Sequence, residues 1–157
     1  AVLNVYKDDI TEHVCDAILN ASNPELNLLP GGVSGSIQTK GGKSIQKEMH
    51  EITSKQGNLF AGDAVSTLSG SLHNCQVIIH AVGPRWHENS HSQNCKYLQS
   101  CISSAMEEAE KRKLSSVAIP AISCGVFGGQ PGTCVPLIVE TVLDYFKQHR
   151  GSSIVQV

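Results

Sequence analysis

Apolar residues along the chain follow two different spacings. Short β-prone runs predict strands at residues 16–19, 64–68, 77–82 and 117–119. Apolar positions three and four residues apart predict amphipathic helices at residues 43–56, 93–113 and 135–146, with another helix from about residue 33. Short runs near the two ends predict strands at residues 2–6 and 154–157. Because strands alternate with helices, the pattern predicts an α/β sheet with helices on both faces.

Two predicted strands, at residues 64–68 and 77–82, are separated by a turn rather than by a helix. A short connection joins antiparallel strands, whereas helical crossovers join parallel ones. The predicted sheet is therefore mixed and mostly parallel. The 157 residues contain no internal repeat and are enough for one domain with a full core. Because the chain opens and stops in strand-like runs, we expect it to be one domain, residues 1–157, of a longer protein.

The first predicted strand leads into a glycine-rich loop. After Leu19 come two asparagines, Asn20 and Asn23, and then a loop that ends in Gly31 and Gly32, where a helix is predicted to begin. Glycine lets the backbone approach a ligand closely because it has no Cβ. A helix N-terminus adds unpaired N–H groups and a partial positive charge. This combination suits a phosphate group.

A second loop of the same design follows the strand predicted at residues 117–119. Residues 123–132 include four glycines and lead into a helical pattern that starts near residue 133. Open α/β sheets bind ligands at the carboxyl edge of their strands, where two such loops would lie side by side. Either loop alone could be an ordinary tight turn. Two loops in matching positions favour a shared phosphate site.

The charge balance limits the kind of ligand. The formal net charge is −2, with 12 Lys and Arg against 14 Asp and Glu. So little excess positive charge argues against binding along a nucleic acid backbone. An anionic ligand would have to be held by backbone amides, which the glycine loops supply. We find no apolar run of membrane-spanning length and no signal peptide pattern, so we expect an intracellular protein of the nucleus or cytoplasm.

Two familiar motif classes and a metal site are disfavoured. The segment Gly42-Lys43-Ser44 resembles the end of a P-loop, but Ile37 stands where that motif needs glycine. No G-x-G-x-x-G is present, so a dinucleotide-binding fingerprint is not supported. His87 and His91 are four residues apart, but no further ligand accompanies them. We expect exposed loop histidines there and no bound metal.

The six cysteines form neither a C-x-x-C pair nor a zinc spacing, which indicates reduced thiols. Cys124 lies in the second loop, where a helix N-terminus can lower a thiol pKa. A cysteine phosphatase would place an arginine in this loop, and residues 125–132 contain none. A packing role is therefore favoured over a nucleophilic one. His80 alternates within a β run and is predicted to be a hydrogen-bonded core residue.

Five segments, in order, resemble the macrodomain family across nearly the whole chain. They are Asp9-Ile10, Asp16-Ala-Ile-Leu-Asn-Ala-Ser-Asn23, Gly31-Gly-Val-Ser-Gly35, Ile79-His-Ala-Val-Gly-Pro84 and Ile119-Pro-Ala-Ile-Ser-Cys-Gly-Val-Phe-Gly128. No single segment is specific, but the ordered set is. The resemblance implies a three-layer α/β/α sandwich, no cofactor, and ADP-ribose, free or attached to a protein, as the ligand. The likeness is greatest to macrodomains of vertebrate multi-domain ADP-ribosyltransferases, which implies that the parent chain is such a transferase.

The family pattern also implies roles for individual residues. Asp9 resembles the acceptor of the adenine amino group, with the Ile10 backbone beside it. Asn23 resembles the asparagine that contacts the distal ribose. Two groups of residues resemble the ligand loops around the distal ribose and the diphosphate: Gly31, Gly32 and Val33 in the first, and Ser123, Cys124, Gly125, Val126 and Phe127 in the second. On spacing alone, Asp9 could equally be a solvated turn residue.

Two departures from the family pattern affect the expected activity. Pro30 stands where many members have a glycine, which removes one N–H. Ser34 stands where one hydrolytic branch has an aspartate, and serine is a poor base at neutral pH. We therefore expect a monomeric reader module for ADP-ribose on proteins. The alternatives are a weak mono-ADP-ribosyl hydrolase, in which Asn23 and the substrate's phosphate position water, and a scaffold that binds no ligand.

Overall fold

The computed structural model describes all residues from Ala1 to Val157. It contains four strands and four helices in the order β1 (Ala17–Ser22), α1 (Gly32–Gly41), α2 (Lys43–Gln56), β2 (Ala64–Leu68), β3 (Val77–Val82), α3 (His91–Lys111), β4 (Val117–Ala118) and α4 (Pro131–Gln148). The strands lie in the order β2-β3-β1-β4. β1 is parallel to β3 and to β4, whereas β2 is antiparallel to β3. The prediction of a mixed, mostly parallel sheet is confirmed.

The central strands are buried on both faces, which places the sheet between two layers of helices. On one face Ile18 and Ile78 pack in an apolar cluster with Ile37 of α1 and Met49 of α2. The alternate residues of the same strands, Leu19 and Ile79 among them, belong to a second cluster with residues of α3 and α4. Adjacent residues of a strand point to opposite faces, so one sheet serves both cores. The three-layer α/β/α sandwich is confirmed.

Three elements have the predicted bounds and the others differ. β1 continues to Ser22 rather than ending at residue 19, and α4 spans Pro131–Gln148 rather than residues 135–146. The predicted bounds of α2, β2 and β3 are those observed. The strands predicted at residues 2–6 and 154–157 are wrong as continuous strands. Only isolated parallel bridges form there, between Val2 and Gln156 and between Ser116 and Gln156. They extend the sheet beyond β4, and backbone hydrogen bonds such as that from the Val2 N–H to Val155 O at 2.8 Å hold the two terminal segments together.

The start of the helix predicted at residues 93–113 is also corrected, and His91, expected in a loop, is the first residue of that helix. Helix α3 begins at His91 rather than Gln93, because the Ser90 side chain caps it by accepting a hydrogen bond from the Gln93 N–H at 3.2 Å. His87 stays in the exposed turn before the helix.

A buried polar chain crosses three strands of the sheet. His80 of β3 is fully buried and pairs in register with Asn20 of β1 and Val65 of β2. Asn20 Nδ2 lies 3.2 Å from His80 Nδ1, and Thr67 Oγ1 lies 3.0 Å from His80 Nε2. Asn20 can only donate through Nδ2, so Nδ1 accepts and the proton of the neutral ring is on Nε2. Burial lowers the pKa of His80 to about 3. The prediction of a hydrogen-bonded core histidine is confirmed.

No helix of the structure combines the length and the apolar character that crossing a membrane requires.

Candidate functional site

A cavity of about 820 Å³ opens beside β4 and the first turns of α4. Four of the residues singled out from the sequence line it together: Asp9, Ile10, Gly32 and Val33. The others, Gly31, Asn23 and residues 123–127, do not line this cavity. Its volume is within the range of small-molecule sites. The segment before β1 and the N-terminal end of α1 therefore meet at one concave surface.

The first loop presents a row of unpaired amides. Gly31 and Gly32 have φ values of 89° and 57°, in the left-handed region that favours glycine. No side chain caps α1, and after Pro30 the first N–H with an acceptor is that of Gly35, which donates to Gly31 O at 2.9 Å. The N–H groups of Gly31, Gly32, Val33 and Ser34 donate to no protein acceptor. Pro30 removes only the amide before this row.

The Ser34 hydroxyl is engaged within the same loop. Its Oγ accepts a hydrogen bond from the Leu29 N–H at 3.2 Å. This contact helps to hold the loop in place and leaves no ionised group at position 34.

The second loop is anchored at Ser123 by two hydrogen bonds, and three of its amides are unpaired. Ser123 has a φ of 67°, which is unusual for a residue with a Cβ. Its hydroxyl donates to Pro84 O at 3.0 Å, and its carbonyl accepts from the Gly129 N–H at 2.8 Å. Between these anchors the N–H groups of Gly125, Val126 and Phe127 have no protein acceptor. Consecutive unpaired amides in such a turn suit an anion.

The Asp9 carboxylate is fixed by its neighbours. Oδ1 accepts from the Thr11 N–H at 2.9 Å and from the Thr11 hydroxyl at 2.7 Å, while Oδ2 accepts from Lys40 Nζ at 3.2 Å. These hydrogen bonds, that of the Thr11 hydroxyl above all, lower the pKa of Asp9. The group is therefore an ionised acceptor at neutral pH. Asp8 has a different partner, the His13 ring at 3.2 Å.

Asn23 is buried, and both polar atoms of its side chain bond to the next turn of the chain. Nδ2 donates to Asn27 O and Oδ1 accepts from the Asn27 N–H, each at 2.9 Å. This closed pair fixes the loop after β1. An amide has a second N–H and a second lone pair, so Asn23 keeps some capacity for another partner.

Cys124 is half-buried and lies beside a thiol that is fully buried. All six cysteines are free. Burial, with the adjacent Cys124 and Cys95 thiols, raises the pKa of Cys134 to about 12. Cys124 packs against the core cluster of α3 and α4. These contacts agree with the packing role that the sequence favoured for Cys124.

No three His, Cys, Asp or Glu side chains come together in a way that could hold a metal ion.

Three features of the site escaped the sequence analysis. Lys40 contacts Asp9 across 31 positions of the chain, and Arg85 lies over the Phe127 ring. Neither contact has a local sequence signal, because each depends on how separate elements pack. The third feature is the apolar wall that α4 gives the cavity, with Val135, Val139 and Val142. Their spacing of four and three residues is a helical stripe, which was available as a signal.

Comparison with known proteins identifies the family. The Macro domain family model matches residues 19–138. The chain is 39% identical over 148 residues to the mouse protein mono-ADP-ribosyltransferase PARP9. This match covers 92% of the chain but only 17% of PARP9. It is 32% identical to the O-acetyl-ADP-ribose deacetylase of Escherichia fergusonii, in an alignment that covers 94% of the chain and 81% of the deacetylase.

A solved structure gives the same result at the level of the fold. A mutant of the Oceanobacillus iheyensis macrodomain with ADPR superimposes on the chain with a TM-score of 0.84 and 28% identity. The superposition covers 96% of this chain and 79% of that structure. The ordered segments, the mixed sheet between two helical layers and these matches lead to one conclusion. The chain belongs to the macrodomain family.

Proposed function

We propose that this macrodomain binds ADP-ribose and reads it on mono-ADP-ribosylated proteins. The observation that carries the proposal is the pair of loops with unpaired amides. They follow β1 and β4, which are parallel neighbours, so both loops leave the sheet at the same edge. Four amides in the first loop and three in the second donate to no protein acceptor. Oriented amides bind a diphosphate without requiring a cluster of lysines.

The proposed contacts combine residues that line the cavity with residues of the two loops outside it. The Asp9 carboxylate accepts the adenine amino group, and the Ile10 backbone lies beside the ring. Gly31, Gly32 and Val33 contact the distal ribose and a phosphate. Residues 123–127 enclose the diphosphate, and Asn23 contacts the distal ribose. The solved Oceanobacillus iheyensis macrodomain mutant with ADPR supports this ligand, because its fold superimposes on nearly the whole chain.

Isothermal titration with ADP-ribose tests the proposal, with AMP and ADP as partial ligands. We expect micromolar affinity, about −8 kcal/mol, and weaker binding of AMP because it has neither the second phosphate nor the distal ribose. A second titration with a peptide mono-ADP-ribosylated on an acidic side chain, against the unmodified peptide, tests the reader role. No heat and no thermal shift with millimolar ADP-ribose would overturn the proposal and favour a protein-interaction scaffold.

A second candidate is hydrolysis of the bond between ADP-ribose and an acidic side chain or an acyl group. Its support is the 32% identity to an O-acetyl-ADP-ribose deacetylase over most of both chains. Against it, position 34 holds a serine whose Oγ accepts from its own loop. The chemistry would then depend on Asn23 and the substrate's phosphate to position water.

The hydrolase assay follows release of ADP-ribose from a mono-ADP-ribosylated protein, beside a hydrolase of known activity. Release that is lost in Asn23→Ala, with ADP-ribose binding retained, would favour the enzyme. If the protein binds ADP-ribose but releases none from the modified protein, the result favours the reader function over hydrolysis.

We further propose that the domain acts inside cells as part of a longer ADP-ribosyltransferase chain. The motive is the 39% identity to a mono-ADP-ribosyltransferase of which this chain spans only 17%. Imaging of the tagged full-length protein and an automodification assay with NAD test the two parts separately. A secreted protein would contradict the location inside cells. A full-length protein that does not modify itself in the presence of NAD would contradict the transferase activity.

A further inference from the structure

We propose that Lys40 is a positioning residue that fixes the Asp9 carboxylate and thereby gives the site its preference for adenine. The inference rests on the proposed binding of ADP-ribose. It adds the reason why this carboxylate would distinguish an adenine ring from a ring that has a carbonyl group in place of the amino group.

The basis is a closed ring of hydrogen bonds. Lys40 Nζ donates to Asp9 Oδ2 at 3.2 Å and to Thr11 Oγ1 at 2.9 Å. The Thr11 hydroxyl in turn donates to Asp9 Oδ1 at 2.7 Å. Both carboxylate oxygens are thus held by groups that are themselves bonded to each other. The carboxylate plane cannot rotate without breaking one of these bonds.

The ammonium group is itself fully used. Its third N–H donates to Glu12 Oε1 at 2.6 Å. A lysine ammonium has three N–H donors, and each has an acceptor here. The neighbouring acids Glu12 and Asp9 raise the pKa of Lys40, so it stays charged. Lys40 therefore cannot turn away to another partner without losing three hydrogen bonds.

This arrangement leaves one acceptor position for a ligand. Oδ1 already takes two hydrogen bonds, both from Thr11, which matches its two lone pairs. Oδ2 takes one, from Lys40, and keeps one lone pair. Asp9 lines the cavity, so this lone pair is the one that can meet a base. An amino group donates to it, whereas a carbonyl oxygen at the same ring position is repelled.

Helix α1 connects this ring to the other end of the site. Lys40 lies in its last turn, and Gly32, with its unpaired amide, is its first residue. Ten residues of α-helix span about 15 Å. The side chains of Lys40 and Asp9 are 38% and 51% exposed, so the ion pair contributes through geometry more than through Coulomb energy. The helix that presents amides to the phosphates thus also orients the carboxylate.

The test compares two ligands that differ only at the base. ADP-ribose has an amino group at position 6 of the ring, and inosine diphosphate ribose has a carbonyl oxygen there. We expect wild-type protein to bind ADP-ribose about tenfold more tightly than the inosine analogue, as for one hydrogen bond to a charged group. In Lys40→Met this preference should fall to about twofold, with affinity for the inosine analogue unchanged.

Two further variants separate positioning from mere structural support. Thr11→Val removes the hydroxyl that closes the ring and should reduce the preference in the same way, while Thr11→Ser keeps a hydroxyl and should restore it. Lys43→Met is the matched control, because Lys43 is an exposed lysine with no ion pair. It should leave both affinities unchanged.

Each result decides the question. Equal losses for both ligands in Lys40→Met would overturn the positioning role, and so would a wild-type protein that binds both equally. Either result leaves ADP-ribose binding established. A wild-type protein that binds neither ligand would instead overturn the proposed function, and this inference with it.

Discussion

The guanidinium carbon of Arg85 lies 5.2 Å from the centroid of the Phe127 ring. The same two segments are joined at the next residue, where the Trp86 N–H donates to Phe127 O at 2.7 Å. The turn after β3 therefore holds the second loop by a side chain and by the backbone. It also places a positive charge beside the amides proposed to bind the diphosphate.

Removal of this charge should weaken ligand binding without unfolding the protein. An exposed cation–π contact contributes about 0.5–1 kcal/mol, so we expect Arg85→Ala to lower ADP-ribose affinity roughly two- to fivefold by titration. Glu88→Gln is the control, because Glu88 pairs with Arg85 at 3.5 Å and its substitution keeps the Arg85 charge. It should leave affinity unchanged or slightly raised. A similar loss in both variants would contradict a specific role for Arg85.

A charge at Gly32 should abolish binding. A Cβ there would meet no atom within 4 Å, so a glutamate side chain can extend into the cavity that Gly32 lines. Gly57→Glu is the matched control: Gly57 has a φ of 80°, has equally open surroundings and lies at the end of α2. Both substitutions add the same charge in a left-handed backbone conformation. Loss of ADP-ribose binding in Gly57→Glu as well would show that backbone strain, not the charge in the cavity, is responsible.

Gly83 should tolerate no side chain because the second loop packs directly on it. A Cβ would overlap the Ser123 hydroxyl and lie 2.8 Å from Ile122 Cγ2. Gly83→Ala should displace Ser123 from Pro84 O, destabilise the fold by about 1–3 kcal/mol and reduce ADP-ribose affinity. Urea unfolding and titration measure the two effects. Gly151→Ala, where a Cβ meets nothing within 4 Å, should change neither.

His80 should make stability fall with acid. Its pKa of about 3 in the folded state is below the ordinary 6.5, so between these values only the unfolded chain binds the proton. Stability therefore rises with pH through this window, by about 2 kcal/mol from pH 5 to pH 7.5.

Urea unfolding at both pH values measures this difference. His80→Gln should lack the contribution of His80, although it is less stable at either pH. The same pH dependence in both proteins would show that other groups are responsible.

The sequence predicted the elements whose signals are local. The β-prone run at Val77–Val82 and the helical stripe at Lys43–Gln56 gave correct bounds, because burial on both faces and burial on one face leave different spacings. The strands predicted at the two ends of the chain were wrong because their pairing is not a local property. Residues 2–6 and 154–157 are apolar enough for strands, but pairing at a sheet edge depends on neighbours that a local pattern does not specify.

The site likewise has features that the sequence predicted and features that it did not. The glycine loops were visible because backbone geometry restricts them to particular residues. The link from Lys40 to Asp9 was not, because it arises when α1 packs against the segment before β1. The bonding of Asn23 to Asn27 was likewise hidden, since an asparagine after a strand is compatible with either a loop or a ligand contact.

The unpaired amides of Gly125, Val126 and Phe127 have a consequence for tolerance to mutation. Val126 is 98% exposed, so its side chain contributes little to the fold, yet its N–H belongs to the proposed anion site. A saturation library at this position should therefore accept many side chains and reject proline, which has no N–H. Such a profile would separate recognition by the main chain from recognition by side-chain identity, and the exposed side chain would remain free to diversify the surface around a constant ligand.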